Sequence, residues 1–173
     1  MDTEKQEKTE VKVHFLSIDR STGAPIVVLK EKEREENRIL LIWIGESEAA
    51  AIQMHLESIE LPRPMTHDLL KTVIETFGAK VTDVCVNAVE QTDERWTFYA
   101  HLTLNTNDKT VQIDCRPSDA IALAIRCEVP IYVAEEVIAG HGFSEQELGT
   151  GQKDDTKDAL ENLDDDTLKQ FTV

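Results

Sequence analysis

An apolar strand runs directly into a helix twice along this chain, as Ile44-Gly45-Glu46-Ser47-Glu48-Ala49-Ala50-Ala51-Ile52 and as Cys115-Arg116-Pro117-Ser118-Asp119-Ala120-Ile121-Ala122-Leu123. Ser, an acid and two Ala stand at matching positions in both copies. A repeated unit of this size cannot bury its apolar face alone, which constrains the chain to a core of two related halves packed together. Such a core leaves a groove between the halves, and function is expected there.

The flanking sequence fills out each half. Residues 11–19 and 25–30 surround Ser21-Thr22-Gly23, a turn signal, and read as a hairpin. Residues 38–44 form a third strand, apolar from Ile39 to Ile44, which suits a strand covered on both faces. The helix after Gly45 carries Ala49, Ile52, Leu56 and Ile59 at helical spacing and stops before Pro62 and Pro64. A second helix follows, with Thr66 as N-cap, Met65 and Leu70 as a hydrophobic staple, and Gly78 just past its end. Leu70, Val73, Ile74 and Phe77 are its expected buried stripe. Strands near 80–89, 96–105 and 109–114 repeat the three-strand run, the repeat helix spans 117–127, and 130–133 is a short strand. Ala49, Ile52 and Leu56 thus correspond to Ala120, Leu123 and Cys127.

The 173 residues suit one domain with trimmings. Residues 1–10 are charged and polar and read as a disordered arm, not a signal peptide; 11–143 form the domain; 144–173 read as a flexible acidic tail with room for one short terminal helix carrying Leu160, Leu163, Leu168 and Phe171. Those leucines are candidates to dock on the core or on a partner. The 34 Asp and Glu against 18 Lys and Arg weaken any broad attraction to nucleic acid or anionic membrane, so an anionic ligand needs a focused basic patch. No run reaches the ~18 apolar residues of a membrane span. Cys85, Cys115 and Cys127 show no CxxC spacing and lie in apolar patterns, as reduced buried thiols of a cytoplasmic protein would.

Two separated motifs carry a family resemblance. Arg63-Pro64-Met65-Thr66-His67-Asp68-Leu69-Leu70, followed after three strands by Asp114-Cys115-Arg116-Pro117-Ser118-Asp119-Ala120-Ile121-Ala122-Leu123-Ala124, resembles the bifunctional nuclease family over residues 11–138. The resemblance implies an α+β fold of that type, a single domain of two related three-strand-plus-helix halves on a mixed sheet, and nuclease activity on RNA and DNA. Some relatives append a charged helical hairpin at the C-terminus, whereas the tail here is short and acidic. No catalytic residues carry over, so these are read from chemistry.

Both Arg63-Pro64 and Arg116-Pro117 stand at helix starts, where free N–H groups, the dipole and a guanidinium together suit phosphate. The alternative is that Pro117 simply opens a helix and the arginines pair with local carboxylates. His67 and Asp68 lie in the first turn of the second helix, where the dipole favours neutral His and ionised Asp, and a neutral imidazole is a general base. Alternatively Asp68 serves the helix end and His67 is merely polar surface. Asp114 at a strand end and Asp119 on the first helical turn form a candidate magnesium or manganese pair. Asp119 also falls at the third helical position, as Glu48 does in the other copy, and both can serve as caps. Trp96 is the candidate for base stacking, whereas Trp43 reads as core. His14 and His101 read as packed strand residues.

The resulting expectation is a cytoplasmic phosphodiesterase on RNA or single-stranded DNA. His67, Asp68 and Asp114 are its catalytic candidates, Arg63, Arg116, Ser118 and Trp96 bind substrate, and Asp114 and Asp119 hold the divalent ion. No organic cofactor and no membrane partner are expected, and the chain is expected to form a homo-oligomer. The competing readings are a noncatalytic module for a phosphorylated ligand, nucleotide or protein, and a self-associating scaffold that pairs through a sheet edge.

Overall fold

A computed structural model describes residues 6–32, 37–92, 95–107 and 109–144. Strands β1 (Lys8–Ile18), β2 (Pro25–Glu31) and β3 (Arg38–Trp43) form one antiparallel meander, and β4 (Lys80–Thr92), β5 (Arg95–Asn105) and β6 (Thr110–Cys115) form a second. Between them lies β7 (Ile131–Ala134), parallel to β4 and antiparallel to β1, while β8 (Phe143–Ser144) pairs with the far side of β3. The result is one mixed sheet in the order β6-β5-β4-β7-β1-β2-β3-β8. Helix α1 (Glu46–Leu56) follows the first meander and α3 (Pro117–Cys127) follows the second, with α2 (Thr66–Thr76) and α4 (Glu135–His141) as additions. The architecture is therefore α+β, with a three-strand-plus-helix half on each side of β7.

Strand β3 explains why its sequence is apolar without alternation. Leu40 and Ile42 point into the cluster beneath the helices, while Ile39, Leu41 and Trp43 join Ile26 and Val28 on the other face. Ala49 and Ala120 are small enough to let α1 and α3 pack on each other, and Ile52 and Leu123 are fully buried behind them. Burial of each of those two side chains stabilises the fold by roughly 2 kcal/mol. The repeat correspondence fades in the third turn, where Leu56 is exposed and Cys127 half-buried. All three cysteines are free thiols.

Several boundaries differ from the sequence reading. Strand β1 begins at Lys8, so residues 8–10 belong to the sheet: Lys8, Thr9 and Glu10 pair with Ala134, Val133 and Tyr132. Lys8 also bridges to Asp83 at 2.9 Å and lies over the Tyr132 ring. Residues 1–5 of the expected arm and 145–173 of the expected tail lie outside the described residues. Helix α4 was not anticipated; it buries Val137 and Ile138, and Arg38 ties it to β2 by bonding both Glu135 and the buried Glu31. The N-cap of α2 is Met65, not Thr66, because Asp68 reaches back to the Met65 N–H at 2.8 Å. Gly78 adopts φ +77° just past the end of α2, the left-handed turn a Cβ would disfavour. The α2 stripe is the largest correction. Ile74 packs on the core, but Leu70, Val73 and Phe77 are exposed, because α2 rests on α3 and β4 by one narrow side. No helix among the described residues is long and apolar enough to cross a membrane.

Candidate active site

The two strand-to-helix junctions meet at a groove of about 550 Å³. Ile42, Trp43 and Ile44 at the end of β3 form one wall, and Trp96 and Phe98 on β5 form the other. The start of α3, with Arg116, Pro117 and Ser118, completes it. Trp43 is both core and wall: it is buried, and its indole N–H donates to Asp19 at 3.0 Å. Trp96 is held from behind by the His141 ring, whose centroid lies 4.5 Å away at an edge-to-face angle. Burial pushes the His141 imidazole below its ordinary value.

Arg116 is the cation of this groove, and acids from both halves hold it. Its Nη2 donates to Glu48 at 2.6 Å and its Nε to Asp119 at 2.8 Å. Glu48 and Asp119 each occupy the third position of a repeat-related helix, so the duplicated acid serves one guanidinium instead of capping two helices. At Gly45 the Glu48 carboxylate lies only 2.2 Å from where a Cβ would stand, so glycine permits that approach. The hydrogen bonds to Asp119 and Glu48 push the Arg116 guanidinium above its usual range.

Asp119 also receives His67. His67 Nε2 lies 3.1 Å from Asp119 Oδ1, and the imidazole is almost wholly buried. Burial alone would raise the Asp119 carboxyl, but hydrogen bonds from Arg116 and His67 outweigh it and hold the group below its ordinary value. The acid is ionised and accepts only, so Nε2 carries the hydrogen, and a neutral ring then has its lone pair on Nδ1. Arg116, Asp119 and His67 thus form a continuous hydrogen-bonded line from the groove to the start of α2.

The other expected residues are distributed differently. Asp68 follows His67 but uses both oxygens structurally, accepting from the Met65 N–H and from Arg126 Nε at 2.6 Å. Burial raises its carboxyl, and those two bonds more than offset the effect. Arg63 is exposed in a separate depression of about 250 Å³ with His55, Met65 and Asp68, so the two Arg-Pro motifs do not share one groove. Asp114 is exposed on β6 opposite His101. By strand alternation it lies on the face away from Cys115, which packs on the core. Among the described residues no three His, Cys, Asp or Glu side chains surround a common point, and Asp119 is committed to Arg116 and His67, so Asp114 and Asp119 do not assemble a cation cage.

Sequence reading missed Arg126 altogether. It is buried, and besides Asp68 it donates to the carbonyls of Ala122 on α3 and Ala51 on α1, so it ties three helices together. The available signal was a charge on the same helical face as Ala122 and Asp119, within an otherwise apolar run.

Comparison with known proteins bears on the family of the chain. Residues 27–146 match the model of the bifunctional nuclease domain. Two proteins of Mycobacterium tuberculosis named only as uncharacterized, from strains CDC 1551 / Oshkosh and ATCC 25618 / H37Rv, are 35% identical over 169 residues, 92% of this chain and 98% of theirs. Bifunctional nuclease 2 of Oryza sativa subsp. japonica is 27% identical over 128 residues, 73% of this chain and 38% of its own. Bifunctional nuclease 2 of Arabidopsis thaliana is 32% identical over 120 residues, 68% and 35% respectively. This chain spans little more than a third of those plant proteins. Since the matched segment runs from β2 to just past β8 and includes Gly45, His67, Arg116 and Asp119, the chain belongs to the bifunctional nuclease domain family.

Proposed function

We propose that this chain is a nuclease that hydrolyses phosphodiester bonds in RNA, single-stranded DNA or both. The observation that carries the reading is the Arg116–Asp119–His67 line at the mouth of an aromatic groove. A base stacks on Trp96 and Phe98, where any base has a π-face to offer. The adjoining phosphate meets Arg116, the Ser118 hydroxyl and the start of α3. His67 Nδ1 takes a proton from the attacking water or ribose hydroxyl, and Asp119 stabilises the imidazolium that forms. The attacking oxygen bonds to phosphorus as the bond to the leaving oxygen breaks, and the imidazolium returns its proton through solvent to the leaving oxygen. Asp68 keeps α2, and with it His67, in place.

Arg116 is already balanced by Glu48 and Asp119, so a phosphate shares a partly neutralised guanidinium, and this feature favours the noncatalytic binding module as the second reading. No step is routed through a metal, since the candidate ligands among the described residues do not gather. The free thiols suit a reducing compartment, so the site of action is read as the cytoplasm.

The deciding experiment is cleavage of labelled single-stranded RNA and DNA by the purified protein with magnesium, manganese or chelator, beside folded His67→Ala. Cleavage lost in the variant supports the nuclease. Cleavage that persists there sinks this site, and binding without turnover moves the reading to the module.

A further inference from the structure

We propose that the exposed apolar face of α2 is the docking site of this chain's own C-terminal segment, residues 160–171. Most of the exposed large apolar side chains among the described residues fall between positions 56 and 77. Along α2, Leu69, Val73 and Phe77 recur every fourth residue and are 55%, 43% and 84% exposed. Leu56 and Leu61, from the end of α1 and the link to α2, are also exposed. An apolar stripe of this extent on so acidic a chain marks an interaction surface.

The length and pattern of the remaining chain select the occupant. Beyond Ser144, Leu160, Leu163, Leu168 and Phe171 stand at spacings that one face of a helix would bring together. The 15 residues between Ser144 and Leu160 span ~50 Å when extended and roughly 20 Å as a flexible coil. A domain of this size has a radius of gyration of about 14 Å, so the linker is long enough to span its breadth. A second copy is the weaker occupant. It would have to bind from bulk solution, whereas the tethered segment meets α2 at an effective concentration on the order of millimolar.

The test uses the full chain with Phe171→p-benzoylphenylalanine, photolysed as an equal mixture of light and isotope-heavy protein, with crosslinked peptides mapped by mass. Crosslinks to residues 56–77 within light or within heavy chains are expected. Their yield should fall about tenfold in Val73→Asp, a change on an exposed face that circular dichroism can show to be folded. Light-to-heavy crosslinks would make a second copy the occupant and overturn the proposal, as would crosslinks confined to other elements. Neither readout involves nuclease activity.

Discussion

Asp119 accepts a hydrogen bond from His67 across 3.1 Å, although the two lie 52 positions apart in the chain. If they act as one unit, their contributions to turnover are not additive. His67→Ala and Asp119→Ala should each lower kcat by about 10²–10⁴ fold, and the double variant should be scarcely worse than the more damaging single one. Single-turnover rates on a fluorescent oligonucleotide measure this, and losses that multiply would mean the two residues work independently.

Glu48 competes with phosphate for Arg116. Glu48→Gln should therefore tighten oligonucleotide binding about two- to threefold, a small effect because the Arg116 side chain is 66% exposed and solvent screens the pair. Arg116→Gln should weaken binding and flatten its salt dependence. Anisotropy titrations at several salt concentrations report both, and weaker binding by Glu48→Gln would show the acid to be part of the ligand site.

Asp68 and Asp119 share a helix-start position but should respond differently to amide substitution. Asp68→Asn leaves the buried Arg126 without its carboxylate and should cost about 2 kcal/mol, lowering Tm by roughly 4–8 °C. Asp119→Asn should act mainly on turnover. Thermal unfolding beside activity separates the roles, and a stable but inactive Asp68→Asn would assign Asp68 to the chemistry.

Acid stability should depend on Asp19 in the β1–β2 turn. Burial opposes its charge, but hydrogen bonds from Ser21, Trp43 and Thr22 outweigh burial and lower the carboxyl from 3.8 to about 2. A depressed carboxyl stabilises the fold above its unfolded value, and that contribution drains away as pH falls through the folded one. It is worth about 2 kcal/mol. Urea unfolding should show wild type and Asp19→Asn separated by that amount near pH 7 and converging toward pH 2; curves that stay parallel would contradict this account.

What the sequence made legible follows from locality. Helix α3 was readable to its ends because Pro117 fixes its start and the Ala, Ile and Leu run needs no distant partner to be apolar. Strand β3 was readable because unbroken apolar residues imply cover on two faces. Helix α2 was readable as a helix but not in orientation, since periodicity shows that an apolar face exists, not whether the domain supplies its cover. The short helix α4 holds too few turns to show a period. The approach of Arg116 and Ser118 to the first strand-to-helix junction followed the repeat logic, whereas the Arg116–Glu48 pair needs two halves folded together before either residue says anything about the other.

The position of β7 carries a consequence for how the protein is made. Its four residues are the seam of the sheet, joining β4 on one side to β1 on the other, and only α4 and β8 follow it among the described elements. Each meander can pair its own strands as it leaves the ribosome, yet the second edge of β1 must wait for nearly the whole domain before β7 arrives. Until then two half-sheets each display an unpaired edge, and the growing chain is most exposed to wrong partners just before Ala134 emerges.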